Sequence, residues 1–286
     1  MGDVHVTVWD ETGGTGDTVV LVHGSTAWGC DPDLGFAAQR PLADSYRLLA
    51  MDRRGYGHSP DIAHSDYAVD AGDIAGLLGG AGGAHLVGHS YGGVAAMMAA
   101  ARRPDAIRSL TLIEPGCYQV AAGDPEVAAA LRANREGRAK LPADLPPEVY
   151  LRAATDSVGW PPLPPTPERL RAAGAALREL PCWEAEIPLG PLRAAPWPKL
   201  VIGGTWENAP AVYRERGGVP LMACARITAE RIGARLLRVP GASHYPHVER
   251  PDVVNAALRE TFSRAAPQPA APSAGQGQPR HQGPAR

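Results

Sequence analysis

Seven short apolar runs of strand length, each separated from the next by a stretch that reads as helix or loop, limit most strongly how this chain can fold. They are Val4 to Trp9, Thr18 to Val22, Tyr46 to Met51, His85 to Gly88, Ser109 to Ile113, Leu200 to Ile202 and Leu236 to Val239. The later runs are nearly continuous rather than alternating, which is the pattern of strands covered by helices on both faces. An α/β arrangement around a mainly parallel sheet is therefore expected. After a turn at Ser90, the apolar residues Val94, Met97, Met98 and Ala101 recur at helical spacing and make one stripe, which Pro104 ends. Between Cys117 and Pro198 the strand rhythm stops, and the pairs Pro146-Pro147, Pro161-Pro162 and Pro164-Pro165 divide short helical segments. One of these is well marked: Thr166 can cap it, Pro167 suits its first position, and Leu170, Ala173, Gly174 and Leu177 fall on one face. Residues 117–198 read as a helical cap inserted into a core made of 1–116 and 199–264. No internal self-similarity supports a helical repeat array instead.

With 28 Lys+Arg against 30 Asp+Glu, the formal charge of −2 provides no strong field to attract a nucleic acid or a membrane surface. A chain that is 44% hydrophobic and 20% charged can bury a sizeable core. The exception is 265–286, which has no Leu, Ile, Val, Met or aromatic residue and reads as a disordered Pro/Ala/Gly/Gln-rich tail. Cys30, Cys117, Cys182 and Cys224 form no C-x-x-C pair, so they suggest free thiols in a reducing cytosol rather than a zinc site or a disulfide scaffold. The first residues lack a signal-peptide pattern and no apolar run approaches the roughly 20 residues that span a bilayer. A cytoplasmic protein acting on a small molecule, without nucleic-acid or membrane partners, is expected; the oligomeric state is left open.

The sharpest local signal is Gly88-His89-Ser90-Tyr91-Gly92-Gly93, lying directly between an apolar run and a helix. A serine at such a turn is exposed and strained, and glycines two residues to either side let the backbone fold back without side-chain clashes. Ser90 is the candidate nucleophile, and the N-terminus of the following helix would favour a developing oxyanion. A hydroxyl needs a base within reach. Of the 9 histidines, His244 stands on the loop after the last strand, at the sheet edge expected for Ser90, with His247 as the second choice. These two also spell H-x-x-H, but Pro246 argues against a helix there and no further ligand pair accompanies them, so no metal is expected. The Gly-rich stretch from Gly76 to Gly83 precedes a strand and lacks Gly-Lys-Ser/Thr, so it reads as a flexible connection and not a phosphate loop.

Taken in order, Val20-Leu21-Val22-His23-Gly24, Asp52-Arg53-Arg54-Gly55-Tyr56-Gly57-His58-Ser59, Gly88-His89-Ser90-Tyr91-Gly92 and Gly241-Ala242-Ser243-His244 resemble the α/β-hydrolase superfamily over roughly residues 1 to 264. The resemblance implies an α/β-hydrolase fold, a Ser90–His244 pair, and an oxyanion hole built from the N–H groups of Ser25 and Tyr91, with Gly24 and His89 beside them. It implies a largely structural role for the Asp52 to Ser59 turn, with Tyr56 at the pocket. Two acids compete for the third catalytic place. Glu207 lies where the superfamily's commoner acid stands, and Glu114 ends an earlier strand, as in some branches. Glu114 is slightly favoured, because a lone carboxylate closing an apolar strand is costly to bury without a partner. Trp160, Trp183 and Trp197 could either line a pocket or pack the cap. The expected activity is hydrolysis of an ester, thioester or lactone of a small, mostly apolar molecule, with no cofactor. Carbon–carbon bond hydrolysis, acyl transfer or cyclisation, perhydrolase-type chemistry and a non-catalytic binding protein are the alternatives.

Overall fold

The computed structural model describes residues 3–265. The stretch from 266 onward, where an unstructured tail is expected, lies outside them. All seven apolar runs are strands: β1 (Val6–Trp9), β2 (Asp17–Val22), β3 (Tyr46–Met51), β4 (Ala84–His89), β5 (Ile107–Ile113), β6 (Lys199–Gly204) and β7 (Arg235–Val239). They form one sheet in the order β1-β3-β2-β4-β5-β6-β7. Only β1 runs antiparallel to its neighbour; the remaining pairs are parallel.

The helices are α1 (Tyr67–Gly80), α2 (Tyr91–Arg102), α3 (Pro125–Ala139), α4 (Pro147–Ser157), α5 (Pro167–Leu177), α6 (Leu189–Ala194), α7 (Ala211–Tyr213), α8 (Val219–Ile232), α9 (Pro246–Glu249) and α10 (Pro251–Ser263). Alternate residues of the central strands enter two separate cores. Val20, Val22, Leu86, Leu112 and Val201 pack with Ile74 and Leu78 of α1, Val94 and Met97 of α2 and Leu221 of α8. Val19, Leu21, Val87, Ile113 and Ile202 pack with Phe36, Leu42 and, from α10, Val254, Leu258 and Phe262. The sheet is thus sandwiched between two helical layers, which explains why its strands lack polar alternation.

Three local expectations need correction. Helix α2 is buried from Tyr91 to Met97 and again at Ala99 and Ala100, so it is enclosed well beyond a single stripe, whose Met98 and Ala101 are only half-buried. On α5 the buried residues are Arg169 and Ala172 to Ala176, while Leu170 and Leu177 are half-buried, because small alanines let this helix lie close to its support. Gly76 to Gly80 belong to α1, which leaves only Ala81 to Gly83 as the connection to β4. The capping by Thr166 is present, its hydroxyl accepting from the Arg169 N–H at 3.2 Å. Between β5 and β6 lie α3 to α6; α4 packs on α5, whereas α6 packs on α2 and α8.

The turn from β4 into α2 is packed backbone to backbone. A Cβ on Gly92 would sit 2.3 Å from the Val22 carbonyl oxygen and 2.4 Å from that of His23, and one on Gly88 would sit 2.5 Å from the Gly92 oxygen. These glycines are needed because backbone meets backbone there. Gly92→Ala is accordingly expected to destabilise by about 1–3 kcal/mol through overpacking. Gly72, inside α1 with no neighbour within 4 Å of an added Cβ, should gain about 0.5–1 kcal/mol as alanine, since the helix then loses less backbone entropy. Urea unfolding of both variants checks the contrast; coincident midpoints would contradict it.

Candidate active site

The sheet register aligns the site. His89 pairs with Ile113 at the ends of β4 and β5, so Ser90 and Glu114 each follow their strand by one residue, side by side. The Ser90 N–H donates to the Ile113 carbonyl at 2.9 Å, and the Glu114 N–H to the Ile202 carbonyl at 2.8 Å. Both residues then turn sharply, with φ of 50° at Ser90 and 44° at Glu114. Non-glycine residues rarely enter this region, and the strain is held by the anchored amides.

His244 arrives from the far side of β6. Gly204 admits its loop: an added Cβ would lie 2.3 Å from the Ala242 oxygen and 2.4 Å from that of Ser243. The Glu249 carboxylate gathers the same loop, accepting from the Ser243 N–H at 2.9 Å, the Ser243 hydroxyl at 3.0 Å and the Tyr245 N–H at 3.1 Å. From beneath, the His89 Nε2–H donates to the His244 carbonyl at 2.9 Å. The His244 ring is left with Nε2 3.2 Å from the Ser90 hydroxyl and Nδ1 3.5 Å from Glu114 Oε2. With Nε2 free to accept the hydroxyl proton, the Nδ1 proton faces the carboxylate.

Glu114 is fully buried, and its Oε1 accepts from the Gly204 N–H at 2.7 Å. Burial pushes its carboxyl up to about 8, against the pull of the Gly204 amide, the Trp206 indole and Arg238. Burial likewise draws the His244 imidazolium down to about 4. A low-dielectric surrounding disfavours charge on either partner, so burial favours the neutral form of both. Glu207, the other candidate acid, is exposed on the loop after β6, while its neighbour Trp206 is fully buried with φ 57°, its ring centroid 6.4 Å from that of His244. The chain bends inward at Trp206 and leaves the next side chain in solvent.

On the opposite side of Ser90, a Cβ on Gly24 would lie 3.1 Å from the Ser90 Cβ, so the loop after β2 lies against the serine. Tyr91 opens α2, where a first-turn N–H has no helical partner. His89 is 1% exposed and acts on the His244 backbone, so it belongs beneath the site and not among its binding groups. His247 is buried, its ring 4.5 Å from that of His89. Pro246, expected to prevent a helix, instead takes the first position of the single turn α9, where its missing N–H is harmless. Tyr56 is fully buried and donates to Glu179, so it does not line an open pocket. In the turn containing it, Asp52 accepts from the N–H groups of Gly29 at 2.8 Å and His58 at 2.9 Å. Trp197 donates to the Pro104 carbonyl at 3.1 Å and packs, whereas Trp160 meets the Tyr245 ring at 4.7 Å, beside His244. Among the described residues, no group of three or more His, Cys, Asp or Glu side chains is gathered to hold a metal ion, and no helix is long and apolar enough to cross a membrane. Sequence reasoning missed Trp206, Glu249 and Glu179, whose roles depend on contacts between distant segments or on loop geometry.

Residues 19–257 match the alpha/beta hydrolase family. The chain is 38% identical over 103 residues to a pimeloyl-(acyl-carrier protein) methyl ester esterase of Methylococcus capsulatus, a match covering 36% of this chain and 39% of that protein. It is 28% identical over 268 residues to the 2-(acetamidomethylene)succinate hydrolase of Mesorhizobium japonicum, covering 86% of this chain and 87% of that one. The first curated relatives, at 38% identity, are spanned over only 28% to 39% of their own length. Among solved structures, a thermophilic esterase from Thermogutta terrifontis is similar with a TM-score of 0.60 and 26% identity, over 91% of this chain and 93% of that one. A family match running from within β2 to within α10, across the serine, the imidazole and the buried carboxylate, makes this chain a member of the alpha/beta hydrolase family.

Proposed function

We propose that this chain is a serine hydrolase that cleaves an ester, thioester or lactone of a small, mostly apolar molecule through an acyl-enzyme on Ser90. The observation that carries the reading is the continuous line from the Ser90 hydroxyl to His244 Nε2 at 3.2 Å and from His244 Nδ1 to Glu114 at 3.5 Å. The second distance suits a resting site whose hydrogen bonds tighten once substrate is bound. Ser90 Oγ attacks the carbonyl carbon while its proton passes to His244 Nε2. The ring then carries a charge that Glu114 steadies. The N–H groups of Ser25 and Tyr91 hold the oxyanion, and collapse of the adduct expels the leaving group with the proton from Nε2. Water repeats the sequence to release the acid. The rings of Tyr245 and Trp206, with centroids 5.0 and 6.4 Å from that of His244, screen the imidazole from solvent and suit an apolar substrate. Residues 117–198 are an insertion into a core of 1–116 and 199–264, within which α4 and α5 serve as a cap over this site while α6 packs on α2 and α8.

Turnover of a short-chain aryl ester and labelling by a fluorophosphonate test the reading directly. Ser90→Ala should abolish both; a wild-type chain that is folded yet neither hydrolyses nor labels would favour a binding protein. Glu114→Gln should lower kcat on the order of a hundred- to ten-thousand-fold, while Glu207→Gln should leave it nearly unchanged. Similar small losses in both would reject Glu114 as the acid.

The pH profile provides a separate check. Burial drives the Glu114 carboxyl up to about 8, so only above that value does the neutral His244 ring stand beside an anion. The value of kcat/KM should therefore climb through that region, and Glu114→Gln should remove the climb. A wild-type profile that is flat from about pH 6 to about pH 9 would contradict the assignment.

A further inference from the structure

The loop carrying Gly24, Ser25 and Thr26 is held by side chains that the hydrolytic chemistry does not use. The Gly24 carbonyl accepts from His23 Nδ1–H at 2.7 Å and from Arg53 Nη2 at 3.1 Å. The Arg53 backbone N–H donates to His23 Nε2 at 3.0 Å, which fixes the tautomer in which Nδ1 carries the proton. A trans peptide is planar, so its carbonyl and the following N–H point in opposite directions. Two donors that fix the Gly24 carbonyl therefore also fix the direction of the Ser25 N–H.

Arg53 is itself fully buried and held in place. Its guanidinium lies between the Tyr56 and Tyr91 rings, 4.4 and 4.2 Å from their centroids. Nη1 donates to Asp70 of α1 at 2.9 Å, and Nη2 donates to Glu179 at 2.5 Å. Glu179, just after α5, is 4% exposed. Its Oε1 also accepts from the Tyr56 hydroxyl, and its Oε2 accepts from the Ser25 hydroxyl at 2.5 Å. The other end of α5 reaches the same loop: Arg169 donates to the Thr26 carbonyl at 3.3 Å while paired with Asp31 and, at 2.9 Å, with Asp33. α5 and the residues just after it thus hold three consecutive loop residues, directly or through Arg53.

We infer that Glu179 is a positioning residue that presets the oxyanion donor at Ser25, holding the loop directly through the Ser25 hydroxyl and indirectly through Arg53 and the Gly24 carbonyl, an inference that rests on the serine-hydrolase reading above. Three donors converge on the two carboxylate oxygens. A glutamine keeps the volume but cannot accept from all three, so the Ser25 peptide is freer to rotate. The donor then meets the oxyanion less well, while the ground-state carbonyl, which makes weaker demands on it, is bound almost as before.

The test compares wild-type chain, Glu179→Gln and Ser25→Ala in aryl ester hydrolysis, with inhibition by an aryl trifluoromethyl ketone that forms a tetrahedral adduct on the serine. Glu179→Gln should lose about 10- to 100-fold in kcat with KM held within about two-fold, below the full loss typical of deleting a donor. The ketone's Ki should rise in step with the fall in kcat/KM, and the pH profile should keep its shape because the histidine–glutamate pair is untouched. Ser25→Ala keeps the backbone N–H and loses only the tether, so it should show the same split between kcat and KM at smaller size. Wild-type kinetics and an unchanged Ki in Glu179→Gln would overturn the inference. Should that variant fail to fold, Ser25→Ala decides alone, and wild-type kinetics there would also overturn it. A wild-type chain with no turnover and no labelling defeats the hydrolase reading instead, which keeps the two failures apart.

Discussion

Parallel strands that end level with one another are the constraint from which the rest of the site follows. Because β4 and β5 stay in register to their last residues, the next residue of each emerges at the same height, and the hydrogen-bond ladder continues one step beyond the strands before each chain turns away. Among the described residues, the non-glycine positions with positive φ are Thr26, Ser90, Glu114 and Trp206. They follow β2, β4, β5 and β6, so the backbone strain lies along one rim. Each such residue costs on the order of 1–3 kcal/mol, which the packed layers on both faces of the sheet must offset.

That rim is also dry. His23, His89 and His247 are each driven well below the usual imidazole range, foremost by burial. They act as neutral struts, His89 packing against the His244 and His247 rings and His23 against Tyr56, without adding charge there. Arg53, a buried cation stacked on the Tyr91 ring next to Ser90, is matched by Asp70 and Glu179, so its field is largely spent on its own partners. An uncompensated charge in that place would be far more costly than a neutral strut.

The strands were legible in the sequence because both faces of the sheet are covered and apolar runs result. The turn that carries Ser90, the candidate nucleophile, was legible because backbone-to-backbone packing at Gly88 and Gly92 writes glycine into the chain. Choosing between Glu114 and Glu207 was harder, since linear order places both at the same sheet edge. The inward bend at Trp206 is what leaves Glu207 in solvent. Glu179 was out of reach, because it meets Arg53 across 126 positions and no local pattern marks a residue whose partners are that distant. The single turn at Pro246 was misread for a simpler reason: proline forbids a helix interior but not its first residue.

The double grip on α5 has a bearing on how such a chain diversifies. Residues 142–144 and 146, on the link into α4, and 147–149 in its first turn are solvent-exposed, whereas Arg169 and Glu179 are locked into the core. Changes of length in that link can be absorbed locally, since loop entropy grows slowly with length. A lineage can therefore remodel one end of this helical stretch while the other stays bolted to the loop after β2.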